Sequence, residues 1–469
     1  MFNKLFSQTR SAFKQERVFQ RASELATNSL LALGKRTITG ILSAGGKLFQ
    51  DWSATYRLFE KERIKQKELF SPVIKDVLEN IDAQAPLFTM MDDTLIRKRG
   101  RKVSGAGWKR DPLGPPFHTN FVWGQRYLQI SAALPDFEVA GRARGIPVDF
   151  HHAPSPAKPR KNATPEALGE YKEQQKISKI SAVGASRLAE LRKQVTDRKI
   201  ICAVDGGFTN MEVFQSIPEN TVIIGRIRKD ARLFTVPEEP TGTSRGRKKY
   251  YGTPLPTPEQ VRQDESVPWQ KVTAFAAGKL HEFDVKTMTP VRWKSTKDQD
   301  MLIVIIRPLA YRPRKGAKLL YRDPAYLICS DTQLSLEQLV QTYLWRWEIE
   351  LNFRDEKTII GVGEAQVRTR TAVQSVPSFI VASYAFLLLA AHSVKAKSTC
   401  LPSPKWHPHK SSDRCTTQNM LSLFRSQFWG LNTDLNKSGF ASYSSESSDM
   451  RTPFYFSKSP NSAICYAFK

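Results

Sequence analysis

The chain has 469 residues and a formal net charge of +26, from 71 Lys and Arg against 45 Asp and Glu. Hydrophobic residues make up 40% of it, which excludes a disordered polyelectrolyte and allows a substantial core in roughly two or three domains. The basic excess speaks to partners rather than to fold.

The cations cluster as RKRGRK at 97–102, RGRKK at 245–249 and RPRKGAK at 312–318. Dispersed runs without a lipid-anchor motif favour DNA or RNA over a membrane surface, against the plainer reading of a solvated basic face. The five cysteines, Cys202, Cys329, Cys400, Cys415 and Cys465, are odd in number and lack metal-ligand spacing. This argues against a disulfide framework or a zinc site and for a reduced, cytoplasmic setting. The opening MFNKLFSQTR has neither a long apolar run nor a small-residue cleavage site, so no signal peptide is expected.

In chain order, residues 1–80 read as helical and basic. A break at Gly34 within 22–42 suits either a helix-turn-helix or a plain helical hairpin. Strands follow at 85–94, ending in Asp92 and Asp93, then at 121–134 and 145–153. A Pro- and Lys-rich loop leads to one long helix over 164–195. A buried strand in 199–210 ends at Asp205 before a Gly-Gly turn, and another strand lies at 221–227. The pattern predicts a mixed α/β sheet. Composition then shifts to a proline-rich linker and short β-like runs, which predicts a β-rich insertion over 230–330. The apolar run 379–391 is too short to span a bilayer and reads as a buried helix starting just after Pro377. Residues 431–469 are Ser-rich and read as a poorly ordered tail.

The densest chemistry lies in YLWRWEIELNFRDEK, 343–357, on a helix predicted to start at Ser335. Advancing about 100° per residue places Tyr343, Arg346, Glu350 and Lys357 within a stripe of about 60°. Trp345, Ile349 and Phe353 form an adjacent apolar stripe, and Glu348, Asn352 and Asp355 are expected to face solvent. Taken alone, Arg346 and Glu350 could be an ordinary i,i+4 ion pair worth ~0.2–0.5 kcal/mol. Two further acids at strand ends, Asp92 or Asp93 and Asp205, change that reading. Such carboxylates are costly to bury unless paired or holding a metal. An acid from a first strand, one from a later strand and one from a helix can converge on two Mg²⁺ ions for phosphodiester cleavage.

With its spacing of two, three and six intervening residues, the Tyr343, Arg346, Glu350, Lys357 series resembles the Tyr-Arg-Glu-Lys signature of insertion-sequence DDE transposases, family four and its relatives. MDDT and AVDGGFTN resemble the first and second acid motifs of that family. The likeness covers roughly residues 20–430. It implies an RNase H-like catalytic domain in two parts, 81–229 and 331–430, with the insertion at 230–330 and a DNA-binding helical region at 1–80. It implies Asp92, Asp205 and Glu350 as ligands of two Mg²⁺ ions, with Mn²⁺ as a substitute. Asp93 is the alternative first acid, since the family's Asp-x-Thr pattern favours Asp92 with Thr94.

Tyr343, Arg346 and Lys357 would hold DNA phosphate, and Lys98, Arg99 and Arg101 would meet the DNA backbone. Cut-and-paste transposition of double-stranded DNA carrying terminal inverted repeats would follow, by a homodimer on the bacterial nucleoid with no membrane involved. Relatives hold a flipped base on an insertion-domain tryptophan, for which Trp293 or Trp269 would serve. The rival readings are another RNase H-like nuclease and a degenerate copy that only binds DNA. His151 and His152, adjacent on a strand, face opposite ways and read as structural or DNA-contacting. His407 and His409 near Cys400 and Cys415 have irregular spacing for a zinc knuckle.

Overall fold

A computed structural model describes residues 1–394 and 414–429, apart from 112–113, 116, 119, 137, 239–248 and 315. The Ser-rich tail, the Cys400, His407 and His409 group and most of the RGRKK run lie outside the described residues. The first segment is helical: α1 (Phe2–Ser7), a 3-10 turn, α2 (Glu16–Leu31), α3 (Ile38–Ala44), α4 (Ser53–Glu60) and α5 (Gln66–Glu79). Then come β1 (Leu87–Arg97), β2 (Gly107–Arg110), β3 (Phe121–Pro135), β4 (Ala143–His152), α6 (Pro165–Ile177), α7 (Ile180–Gln194), β5 (Ile200–Val204), α8 (Met211–Phe214) and β6 (Thr221–Arg226). After β7 (Leu233–Phe234) and α9 (Pro258–Gln263) follow β8 (Gln270–Ala276), β9 (Lys279–Trp293), β10 (Asp300–Ile306), β11 (Ala310–Tyr311), β12 (Leu320–Tyr321) and β13 (Ala325–Cys329). The last elements are α10 (Leu336–Trp345), α11 (Trp347–Thr358), α12 (Arg370–Ser393) and α13 (Thr417–Trp429).

Eleven strands form one mixed sheet, ordered β2-β3-β1-β5-β6-β13-β10-β9-β7, with β4 on β3 and β8 on β9. Pairings β1–β5 and β5–β6 are parallel and the rest antiparallel, the arrangement of an RNase H-like domain. The β-rich stretch after residue 230 continues this sheet, because β13 pairs with β6 and β10 with β13. The short β2 and the 15-residue β9, whose polar residues mask its period, were not foreseen. The predicted long helix at 164–195 is two helices, broken at Ser178 and Lys179.

The predicted 379–391 helix needs a larger correction. α12 runs 24 residues from a Thr369 N-cap, and Pro377 lies inside it. Proline there removes one N–H and strands the carbonyl four residues back, that of Val373. The Tyr127 hydroxyl on β3 donates to that carbonyl at 2.7 Å and replaces the missing bond. Ser375 Oγ also donates to the Phe59 carbonyl, and Ser378 Oγ to the Phe150 carbonyl. α12 is long and apolar enough to cross a membrane, but 94% of its most apolar window is buried within the protein. The N-terminal helices pack on it, with Phe6 edge-on to Phe379 and Phe386 and Phe59 edge-on to Phe379. Arg425 of α13 donates to the Leu30 and Ala32 carbonyls, closing the C-terminal end of α2.

Tyr127→Phe leaves the Val373 carbonyl buried without a donor. It is expected to destabilise the fold by about 1–3 kcal/mol, measured by urea unfolding, with the m-value unchanged.

Candidate active site

Asp92 lies in the middle of β1, not at its end: the strand runs on to Arg97 along β3. Its parallel partner β5 stops sooner, with Met91 opposite Val204 as the last pair. From Asp92 onward β1 has no paired strand on that side among the described residues, and Asp205 is the next residue after β5. The two aspartates therefore flank a notch where the parallel pairing of β1 with β5 stops. Asp205 Oδ1 accepts from the Gly207 and Phe208 amides at 2.9 and 3.4 Å, and its carbonyl accepts from Thr209 Oγ1. These bonds fix the turn that follows β5.

Strand alternation separates the two candidate first acids. Met90 packs with Ile349 and Phe353 of α11, whereas Met91 lies against the helix α7 glycine Gly184. Asp92 therefore shares the face that carries α11, and Asp93 takes the opposite face, where it pairs with Arg126 at 3.1 Å.

The predicted helix through 343–357 is two segments with a tight turn at Arg346, whose amide bonds to the Tyr343 carbonyl three residues back. Ser335 caps the first by accepting from the Gln338 amide. The turn presents Arg346 to both sides. Its guanidinium donates to Asp92 Oδ2 at 3.4 Å and to Glu350 Oε1 at 2.7 Å. The structure thus brings Asp92, Glu350 and Arg346 together, with Asp205 on the adjoining strand end. Tyr343 is half-buried on α10, and exposed Lys357 lies over the Phe353 ring.

Glu348, Asn352 and Asp355 were expected in solvent but are buried, because α11 is covered on that flank by β4 and by residues 414–417. Each has partners. Arg414 clasps both Glu348 oxygens, Asn352 bonds the Gly145 carbonyl and the Ser131 hydroxyl, and Asp355 accepts from Thr417. A Cβ on Gly145 would come within 3.0 Å of the Glu348 Cβ, so glycine there lets the helix approach the sheet. A wheel counts polarity and cannot register a second layer.

Burial first, and then the Asp205 charge, push the Asp92 carboxyl up to about 7, against the pull of the Asp93 amide and Arg346. Burial also raises Asp93, opposed by Arg126. Among the described residues, no three His, Cys, Asp or Glu side chains stand close enough to hold one ion as placed. A guanidinium already bonds two of the acids.

The remaining candidates divide. Lys98 turns inward and donates to the Gly363 carbonyl, with burial lowering its ammonium to about 8. Arg99 and Arg101 are exposed on the loop after β1. Trp269 is held between Lys286 and Arg307, whereas Trp293 packs edge-on to Phe214 and lines a groove of about 910 Å³ beside Gly206 and Thr209. His152 is buried and packs tilted against the Tyr127 ring, and burial lowers it to about 4. Arg126, the partner of Asp93, was missed; a lone cation within the apolar run FVWGQRYLQISAAL was its signal.

The family model of the DDE superfamily endonucleases matches residues 12–299. The chain belongs to the DDE superfamily endonucleases. No curated protein matches this chain. The matched span of this DDE endonuclease includes Asp92 and Asp205 and ends before Glu350. Endonucleases of this superfamily act on DNA with divalent metal ions.

Because Asp92 takes up its proton at a higher pH when folded than when unfolded, its contribution to stability is present at pH 4 and lost as pH rises towards 7. Asp92→Asn is therefore expected to raise Tm at pH 8 with little change at pH 4, read from thermal unfolding without divalent ions. A shift equal at both pH values would contradict the assigned environment.

Proposed function

We propose that this DDE endonuclease is the transposase of a bacterial insertion sequence. It cuts double-stranded DNA at the terminal inverted repeats and joins the freed ends to target DNA. The observation that carries this reading is the guanidinium of Arg346, which bonds Asp92 of the first strand and Glu350 of a helix more than 250 residues later, beside Asp205. The acids come in the order and from the kinds of element that the family resemblance implies.

In this reading Asp92, Asp205 and Glu350 are the catalytic acids and metal ligands. A half-buried, all-carboxylate donor set suits hard divalent cations, two Mg²⁺ with Mn²⁺ as substitute. When bound, such ions supply an activated water and neutralise charge on the phosphate under attack. The chain's own residues do the placing. Arg346 balances the acids at rest and, on turning to a phosphodiester, offers the same planar fork of donors. Tyr343 adds a hydroxyl, and Lys357 and the exposed Arg99 and Arg101 add cations along the strand path. The pairing of Asp93 with Arg126 on the far face supports leaving it out of the ligand set in this reading. The protein works as a homodimer on DNA in the cytoplasm.

Linear DNA bearing the element's terminal repeats is the direct substrate, with and without Mg²⁺. Wild type is expected to cleave only with the ion, Glu350→Gln and Asp92→Asn to lose cleavage, and Asp93→Asn to keep it. Cleavage surviving in Glu350→Gln would remove that residue from the site. No cleavage by wild type would leave a protein that only binds DNA.

A further inference from the structure

Beyond the acids, β1 carries on for about five residues, or ~17 Å, into a surface of which the reaction as described uses only Arg99 and Arg101. Trp108 lies directly opposite Trp123, and Arg110 opposite Phe121, in the β2–β3 register, so all four side chains rise from one side of this ribbon. Trp108 and Phe121 are 61% and 60% exposed. The two indoles meet edge-on at 5.7 Å, and Trp123 Nε1 is held by the Gly100 carbonyl. The loop carrying Arg99, Arg101 and Lys102 is therefore bonded to the aromatic ribbon. At its far end the Ser104 amide bonds the Arg368 carbonyl, which brings the exposed Arg368 and Arg370 alongside.

Arg99, Arg101, Lys102, Arg110, Arg368 and Arg370 are all exposed and make no ion pair among the described residues, while the local acid Asp111 is taken by Arg97. Unneutralised cations around exposed aromatic rings match a polyanion whose bases offer free π-faces. That is single-stranded DNA, since a duplex keeps its base faces stacked inside. An acidic protein would satisfy the cations but leave the rings without a purpose.

We propose that this ribbon, centred on Trp108 and Phe121, is a binding platform for an unpaired DNA strand. Resting on the reading of the acids as the cutting site, the platform receives the strand parted from its complement next to the cut. The phosphates lie along Arg99, Arg101 and Lys102 and the bases stack on Trp108 and Phe121.

The test is binding of a labelled 12-nucleotide oligothymidine and of a duplex of equal length to the full chain, by fluorescence anisotropy. It is done without divalent ions, so it does not depend on the acids. Trp108→Ala with Phe121→Ala is expected to weaken single-strand binding by about tenfold per ring lost while barely affecting the duplex. Trp108→Tyr restores most of the loss, which a merely structural role would not do. Replacing Arg99, Arg101 and Lys102 by Gln lowers the salt slope by about two. Single-strand binding unchanged in the double alanine variant, or an equal loss on duplex, overturns the platform. Wild-type protein that binds the single strand through these rings yet cuts no terminal-repeat DNA with Mg²⁺ would refute the transposase reading alone.

Discussion

One guanidinium holds the centre of this molecule together. Asp92 and Asp205 sit side by side where the parallel pairing of β1 with β5 stops, and burial makes the charged form of Asp92 costly. Arg346 supplies the compensating charge and, by bonding Glu350 as well, ties the α10–α11 turn to the first strand. An isolated exposed pair of this kind contributes little. Here the partners are largely withdrawn from water, and removing Arg346 would leave both acids without their cation, which is the expensive case. The same atoms that hold the resting protein together are those a phosphate and metal ions would compete for.

The notch exists because β5 is short. If it ran one residue further alongside β1, Asp205 would be drawn into the ladder and Asp92 would lose its open flank. The helix opposite is fixed from behind by polar contacts, not by apolar packing alone: Arg414 on Glu348, Asn352 between Gly145 and Ser131, and Thr417 on Asp355. Directional bonds of this type set the height and rotation of a helix more sharply than methyl groups do. That rotation is what aims Glu350 at β1.

The residues that converge were readable from the sequence because chemistry restricts them to few types and the motifs are local. Asp205 before its Gly-Gly turn and the 3-, 4- and 7-residue steps of the Tyr343 stripe are short-range signals. What escaped were consequences of long-range packing. Pro377 reads as a helix start until Tyr127, 246 residues before Val373, is seen to mend the broken bond. Glu348, Asn352 and Asp355 read as solvent-facing until α11 is found between two layers. The strands after residue 230 read as a separate unit, and only their pairing through β13 shows them to be one sheet with the rest. The Asp-x-Thr pattern favoured Asp92 but kept Asp93 as an alternative, and the pleat of β1 sends the two to opposite faces.

The position of α12 also bears on how the chain comes off the ribosome. The apolar sides of α1, α2, α4 and α5 close on a helix that is translated some 300 residues after them. During synthesis those early segments wait, greasy and uncovered, while the sheet is still being made. Slow, non-local closure of this kind exposes nascent chains to aggregation and engages chaperones. Synthesis halted before residue 370 would therefore leave the first helices without their cover, even with Asp92, Asp205 and Glu350 all already made.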